Sequence, residues 1–90
     1  MGNNILKMYY ETSEGFLSLY LVERVYTEDD ELVSVYRVEI FVNIEQGSRE
    51  VVAERVYTSS WFFHFTSALD QGVRECYARG AIKLLFTSEG

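Results

Sequence analysis

Hydrophobic and polar residues alternate along the chain as far as Thr58, and three short polar breaks interrupt the alternation. The breaks are Ser13-Glu14-Gly15, Glu28-Asp29-Asp30-Glu31 and Glu45-Gln46-Gly47-Ser48. The segments between them are rich in Val, Ile, Leu, Tyr and Phe and run from Ile5 to Thr12, Phe16 to Thr27, Leu32 to Ile44 and Arg49 to Thr58. A period of two predicts β-strands, and connections this short join antiparallel neighbours. The pattern therefore predicts a four-stranded antiparallel meander with sheet order 1-2-3-4.

The second break also predicts how strands 2 and 3 pair. With Asp29 and Asp30 at the tip of the hairpin, one side of the sheet is apolar, pairing Leu17 with Val42, Leu19 with Ile40 and Leu21 with Val38. The other side is mixed, pairing Tyr20 with Glu39, Val22 with Arg37 and Arg24 with Val35. A slip by one residue would mix the two sides, so we expect this register. A two-residue turn at Glu14-Gly15 likewise places Leu6, Met8 and Tyr10 on the apolar side of strand 1.

From Ser59 onward the hydrophobic residues recur at steps of three and four. This spacing predicts one amphipathic helix on the apolar face of the sheet. The stripe consists of Phe62, Phe65, Leu69, Val73, Cys76, Gly80 and Leu84. Ser59 or Ser60 is the expected cap, although Ser67-Ala68-Leu69-Asp70 also looks like a capping signal and leaves an irregular segment over Trp61 to Thr66 as the alternative. Gly72 and Gly80 predict close approach of the helix backbone to the sheet.

The whole chain, residues 1–90, is thus predicted to be one ββββα domain of the α+β class. Its net charge is −6, with eleven acidic against five basic residues in 1–58 and three of each in 59–90. This imbalance disfavours binding to nucleic acid or anionic membranes. No segment approaches the ~20 consecutive apolar residues of a membrane span, and the N-terminal residues lack a basic segment leading into an apolar run. We expect a cytoplasmic protein without membrane association.

No group of residues has the spacing of a catalytic or metal site. The single cysteine, Cys76, and the single histidine, His64, are twelve residues apart. On a continuous helix this separation is about 18 Å, too far for a nucleophile and its base. We expect Cys76 to be a small buried hydrophobic residue, and we expect no enzymatic activity, no cofactor and no metal.

The sheet face away from the helix is the candidate functional surface, because one helix covers only one side. Its candidate partner-binding residues are Tyr20, Val22, Arg24, Tyr26, Val35, Arg37, Phe41, Arg55 and Tyr57. Three uses remain open: a protein contact such as a homodimer, through this face or an edge strand beside it; a stacking platform for single-stranded nucleic acid; and an ordinary solvated face. The acidic charge of the strand region disfavours the second use, binding of single-stranded nucleic acid.

The second break is another candidate surface. Glu28, Asp29, Asp30 and Glu31 form a run of four carboxylates suited to docking a partner rich in arginine and lysine.

The order of four strands and a helix resembles the repeat unit of single-strand-binding proteins of the PUR and Whirly type, which pair into dimers. Small size, acidity and the absence of catalytic signals are also similar to phage- or plasmid-encoded inhibitors of enzymes that handle nucleic acids. The expected function is a non-enzymatic, dimeric protein-binding module that regulates or inhibits a basic partner. The alternatives are a single-stranded nucleic-acid-binding protein and a small structural subunit.

Overall fold

The protein forms an antiparallel sheet with a helix packed on one face, as expected for the α+β class. The computed structural model describes residues 2–46 and 50–89, and the side chains within 2–43 and 53–89. Its elements, in chain order, are β1 (Asn3–Thr12), β2 (Gly15–Glu28), β3 (Glu31–Gln46), β4 (Glu50–Thr58), α1 (Phe65–Ala78) and β5 (Ala81–Glu89). Of the third predicted turn, Gly47 and Ser48 lie outside the described residues.

The sheet has five strands in the order β4-β3-β2-β1-β5, so the prediction of four strands was wrong. The first four form the expected meander, and β5 adds antiparallel beside β1. The reason is Gly80, whose φ of +96° lies in the left-handed region that ends helices. Leu84 fits the helical spacing of the sequence but lies in β5 opposite Tyr10.

The predicted register of β2 and β3 is confirmed at every pair named above. Asp29 and Asp30, with φ of +50° and +64°, form the tip of this hairpin. The β1–β2 turn falls one residue earlier than predicted, with Thr12 opposite Gly15. Cross-strand partners therefore shift by two residues, so that Tyr10 faces Leu17 rather than Leu19. A shift by two preserves the faces, because side chains alternate with a period of two.

The core lies between α1 and the apolar face of the sheet. Its buried members are Tyr10, Leu17, Leu19, Leu21, Val38, Ile40, Ala68 and Cys76. A Cβ atom on Gly72 would lie 2.7 Å from Leu19 Cδ1 and 2.8 Å from Val38 Cγ1, so the expected close approach is confirmed there. At Gly80 a Cβ atom would meet nothing within 4 Å, and that glycine serves the turn rather than the packing.

The segment between β4 and α1 is extended, and the continuous helix from Ser59 was a wrong prediction. The Ser59 backbone N–H donates to the Val38 carbonyl at 2.9 Å, and its hydroxyl accepts the Val38 N–H at 2.9 Å. Phe62 exchanges two 2.7 Å backbone hydrogen bonds with Tyr36. Since these bonds hold the chain along β3, the helix begins only at Phe65, with His64 at the N-cap position.

α1 is 14 residues long. In the described part of the chain, no helix combines the length and apolarity that a bilayer crossing requires.

Candidate functional site

The face of the sheet opposite α1, called the open face below, carries most of the predicted partner-binding residues. Cross-strand pairs share a face, so the confirmed β2–β3 register places them there. On it lie Tyr20, Val22, Arg24, Tyr26, Val35, Arg37 and Phe41 from β2 and β3. Arg55 of β4 joins them opposite Phe41.

Two of these residues are not available to a partner. Val22 is 5% exposed and Val35 is 7% exposed, whereas an open sheet face predicts accessible side chains. Trp61 lies over this part of the face, with its ring 4.5 Å from the Arg37 guanidinium carbon. Gly2 lies against Val22 as well, since a Cβ atom there would be 2.5 Å from Val22 Cγ1 and 4.0 Å from Trp61 Cη2. The extended segment before α1, read as helix from the sequence, is what brings Trp61 here.

Tyr57 was assigned to the wrong face. It pairs with Ile40, a core residue, and its hydroxyl accepts a 3.2 Å hydrogen bond from Gln71 Nε2 of α1. A register shift between Ile40 and Phe41 gives Val56 no partner on β3. A bulge of this kind breaks the alternation, so Arg55 and Tyr57 lie on opposite faces although they are two residues apart.

Cations and aromatic rings are interleaved across the open face. Lys7 Nζ lies 4.4 Å from the ring centroid of Tyr9 and 5.1 Å from that of Tyr20. The Arg55 guanidinium carbon lies 5.6 Å from the Phe41 ring. We call this set the aromatic–basic strip, which consists of Lys7, Tyr9, Tyr20, Arg37, Phe41, Arg55, Trp61 and Phe86.

The rings of the strip also contact one another. Tyr9 stacks on Phe86 with centroids 4.8 Å apart, and Tyr20 meets Phe41 edge to face at 5.5 Å. Lys7, Trp61 and Phe86 were missed in the sequence, because Trp61 and Phe86 lie in the segment before α1 and in β5, neither of which was predicted to be extended. For Lys7, the alternation along β1 was the available signal.

Tyr20 separates two shallow hollows on this face. One, of about 230 Å³, is lined in part by Asn4, Ser18 and Asn43, where Asn43 Nδ2 donates to Ser18 Oγ at 2.7 Å. The other, of about 190 Å³, is lined in part by Lys7 and Ser88. Both hollows therefore offer a ring face together with amide, hydroxyl or ammonium groups.

Electrostatics keep the strip cationic. Interaction with the Tyr20 and Tyr9 side chains raises the pKa of Lys7 above its usual value, and Lys7 in turn lowers the pKa of Tyr9. Glu39, whose side chain is 13% exposed, forms a 3.3 Å ion pair with Arg55. At the β1–β5 edge, Glu11 lies 4.0 Å from Lys83 Nζ. Both acids are thus matched by cations.

The acidic run is exposed, as a docking surface requires. Glu28, Asp29, Asp30 and Glu31 are all exposed at the end of the β2–β3 hairpin. Glu28 and Glu31 face each other directly across the two strands. Like charges placed opposite one another repel, so this hairpin end concentrates negative potential.

A row of exposed apolar side chains, called the apolar row below, lies on β5, an edge strand that the sequence pattern placed in the helix. Four side chains there are 40–58% exposed: Ile82, Leu84, Leu85 and Phe86. The register with β1 skips Ile82 and Leu85, which have no partner residue on that strand. The sequence signal for this strand was Gly80 followed by an apolar run, a pattern typical of a helix end.

Cys76 is fully buried, as predicted, and burial raises the pKa of its thiol to about 12. His64, at the N-cap position, is exposed. Within residues 2–46 and 50–89, no three His, Cys, Asp or Glu side chains are grouped so as to hold a metal ion.

Comparison with protein-family models, with curated proteins and with solved structures found no match to this chain.

Proposed function

We propose that the protein is a non-enzymatic protein-binding module that forms a homodimer through β5. The observation that supports this most is the exposed apolar row on that strand. Soluble proteins seldom leave several large apolar side chains of one edge strand in water, and a two-fold contact along that edge would let each copy cover the other.

The open face supports this proposal less well than the sequence suggested. Trp61 already covers Val22 and Val35, so the apolar centre expected there is satisfied within the chain. The outer side of β5 has no strand beside it in the described sheet. A second copy that packs against this strand would cover its apolar side chains and the unpaired backbone groups of the edge.

Sedimentation equilibrium at micromolar concentration tests the dimer. We expect the wild type to sediment as a dimer and the double variant Ile82→Lys, Leu85→Lys to sediment as a folded monomer. In an isologous contact both copies bring their introduced lysines into the same interface, so four like charges would oppose association. The two positions have no partner residue on β1, so the sheet itself should tolerate the change.

Leu32→Lys is the matched control. Leu32 is 79% exposed at the far end of the β2–β3 hairpin, so the same change of residue type there should leave the dimer intact. A wild-type protein that stays monomeric would contradict the proposal, as would dissociation by the control variant alone. Far-ultraviolet circular dichroism verifies that each variant is folded.

The proposal extends to a basic partner that the protein regulates or inhibits. Its support is the exposed carboxylate run from Glu28 to Glu31 at the end of the β2–β3 hairpin. Such a surface accelerates encounter with an arginine- and lysine-rich protein.

A further inference from the structure

The aromatic–basic strip carries more cations than acids, on a chain whose net charge is −6. Lys7, Arg37 and Arg55 lie in the aromatic–basic strip, and Arg24 lies beside it on β2. Arg55 has an ion-pair partner in Glu39, but within the described residues Lys7, Arg24 and Arg37 make no ion pair. We propose that the aromatic–basic strip binds single-stranded nucleic acid.

The positions of the acidic residues make nucleic-acid binding by the strip possible. Four of them are gathered at the hairpin end, and Asp70 and Glu75 lie on α1, on the other side of the sheet. Asp70 is paired with Arg74 of the same helix, and Glu75 is paired with Arg79 at the C-cap of the helix. Within the strip, the three cations Lys7, Arg37 and Arg55 are accompanied by one acid, Glu39, so the local charge is opposite in sign to that of the whole chain. A phosphate backbone that runs along the strip meets cations locally.

The aromatic rings supply the second requirement, a surface for stacking bases. Tyr20 lines two hollows that are open to solvent, and Lys7 Nζ lies 5.1 Å from its ring centroid, so a base that stacks on Tyr20 brings its phosphate close to an ammonium group. Trp61 and the Tyr9–Phe86 stack continue the aromatic surface in both directions. Stacking of this kind tolerates any sequence, because every base has a π-face.

The polar groups around Tyr20 supply the third requirement, hydrogen-bonding partners for the bases. Asn4 lines both hollows, Ser18 and Asn43 line one, and Ser88 lines the other. Amide and hydroxyl groups next to an aromatic ring can hydrogen-bond to the exposed edges of a stacked base. A rigid duplex keeps its bases inside, so the strip favours a single strand.

This inference is independent of the proposed dimer, because it uses the open face rather than the outer side of β5. The two surfaces share only Phe86. The failure of one proposal therefore leaves the other standing.

Fluorescence anisotropy with labelled twelve-nucleotide oligo(dT) and oligo(rU) tests the inference, with titrations at low and at moderate salt. We expect saturable binding that weakens as salt increases and is stronger than binding to a duplex of equal length. Trp61 is the only tryptophan, so quenching of its fluorescence should follow the same titration. The DNA and RNA arms show which polymer the strip prefers.

Two variants examine the strip itself. Tyr20→Ala should weaken binding by roughly tenfold or more, the usual loss for one stacked base. Arg55→Gln should weaken binding and reduce the salt slope by about 0.7 if the residue contacts one phosphate. Arg55 is 57% exposed, so this variant should fold even if Tyr20→Ala does not.

Arg74→Gln is the matched control, since Arg74 is an exposed arginine on α1 with an ion-pair partner, Asp70. It should leave oligonucleotide binding unchanged. No binding of either oligonucleotide at low salt would overturn the inference. So would an equal loss in Arg74→Gln and Arg55→Gln, because binding would then depend on general charge and not on this face.

Discussion

Among single residues, Gly72 sets the distance between α1 and the sheet. We expect Gly72→Ala to lower the free energy of unfolding by about 1–3 kcal/mol, because its Cβ would press on Leu19 and Val38 in a packed core. Helix propensity alone predicts the opposite, a gain of about 1 kcal/mol. Urea denaturation measures which effect is larger.

Ser67→Ala is the control for this comparison, since Ser67 is an exposed position of the same helix. Ser67→Ala should change the free energy of unfolding only slightly, in the direction that helix propensity predicts. If Gly72→Ala stabilised the protein, the close contact between helix and sheet would be contradicted.

Two weakly acidic groups in the core, a thiol and a phenolic hydroxyl, predict that the stability of the protein depends on pH in the alkaline range. Burial raises the pKa of the Cys76 thiol from 9.0 to about 12 and that of the Tyr10 hydroxyl from 10.0 to about 12. Between pH 9 and pH 12 the folded protein therefore keeps protons that the unfolded chain has lost. Stability should be complete below pH 9 and decrease as pH rises through this window.

Urea denaturation at a series of pH values measures this slope. Cys76→Ala removes one of the two groups, so its stability should fall less steeply above pH 9 even though the variant starts from a lower value. Equal slopes in the two proteins would show that the thiol does not contribute.

Among the elements, the β2–β3 hairpin combines a specific turn with a specific charge. Its central residues, Asp29 and Asp30, both have positive φ, which aspartate tolerates better than most residues do. The same two residues belong to the carboxylate run proposed to meet a basic partner. We expect Glu28→Gln, Asp29→Asn, Asp30→Asn and Glu31→Gln together to slow association with a fluorescent hexa-arginine peptide at low salt, as measured by stopped flow.

The control neutralises four other exposed acids: Glu14→Gln, Glu54→Gln, Asp70→Asn and Glu89→Gln. Each set of changes takes the net charge from −6 to −2, so only the position of the charge differs. Equal on-rates for the two variants would show that the acidic residues of the hairpin act only through the net charge of the protein.

At the scale of the whole molecule, the proposed dimer and the aromatic–basic strip should act separately. The monomeric variant Ile82→Lys, Leu85→Lys should still bind a short oligonucleotide with nearly the wild-type affinity per chain. On an oligonucleotide long enough to reach two strips it should bind more weakly than the wild type, because the dimer gains from a raised effective concentration. Anisotropy with a short and a long oligonucleotide distinguishes these cases, and loss of affinity for the short one would show that the surfaces are coupled.

The elongated shape of the molecule is consistent with separate surfaces. Its principal extents are 52 × 24 × 20 Å. The acidic hairpin end is formed by the β2–β3 turn, whereas the apolar row lies on β5 at the edge of the sheet.

The sequence by itself determined the central hairpin. The β2–β3 register was predicted at every named pair because it depends on two local features, the position of a short turn and alternation with a period of two. The same reasoning placed Tyr20, Arg24, Arg37 and Phe41 on the open face. Cys76 was correctly predicted as buried because its helical stripe is local as well.

Only the tertiary structure decided where this alternation is interrupted and which side chains cover part of the open face. A bulge places Tyr57 on the helix face. Backbone pairing with β3 makes the segment before α1 extended rather than helical, and this segment places Trp61 over Val22. The segment of β5 continues the helical spacing in the sequence but forms a strand, because it pairs with β1, which lies about seventy residues or more earlier in the chain. Periodicity reports contacts between near neighbours in sequence, whereas these features arise from backbone hydrogen bonds between distant segments.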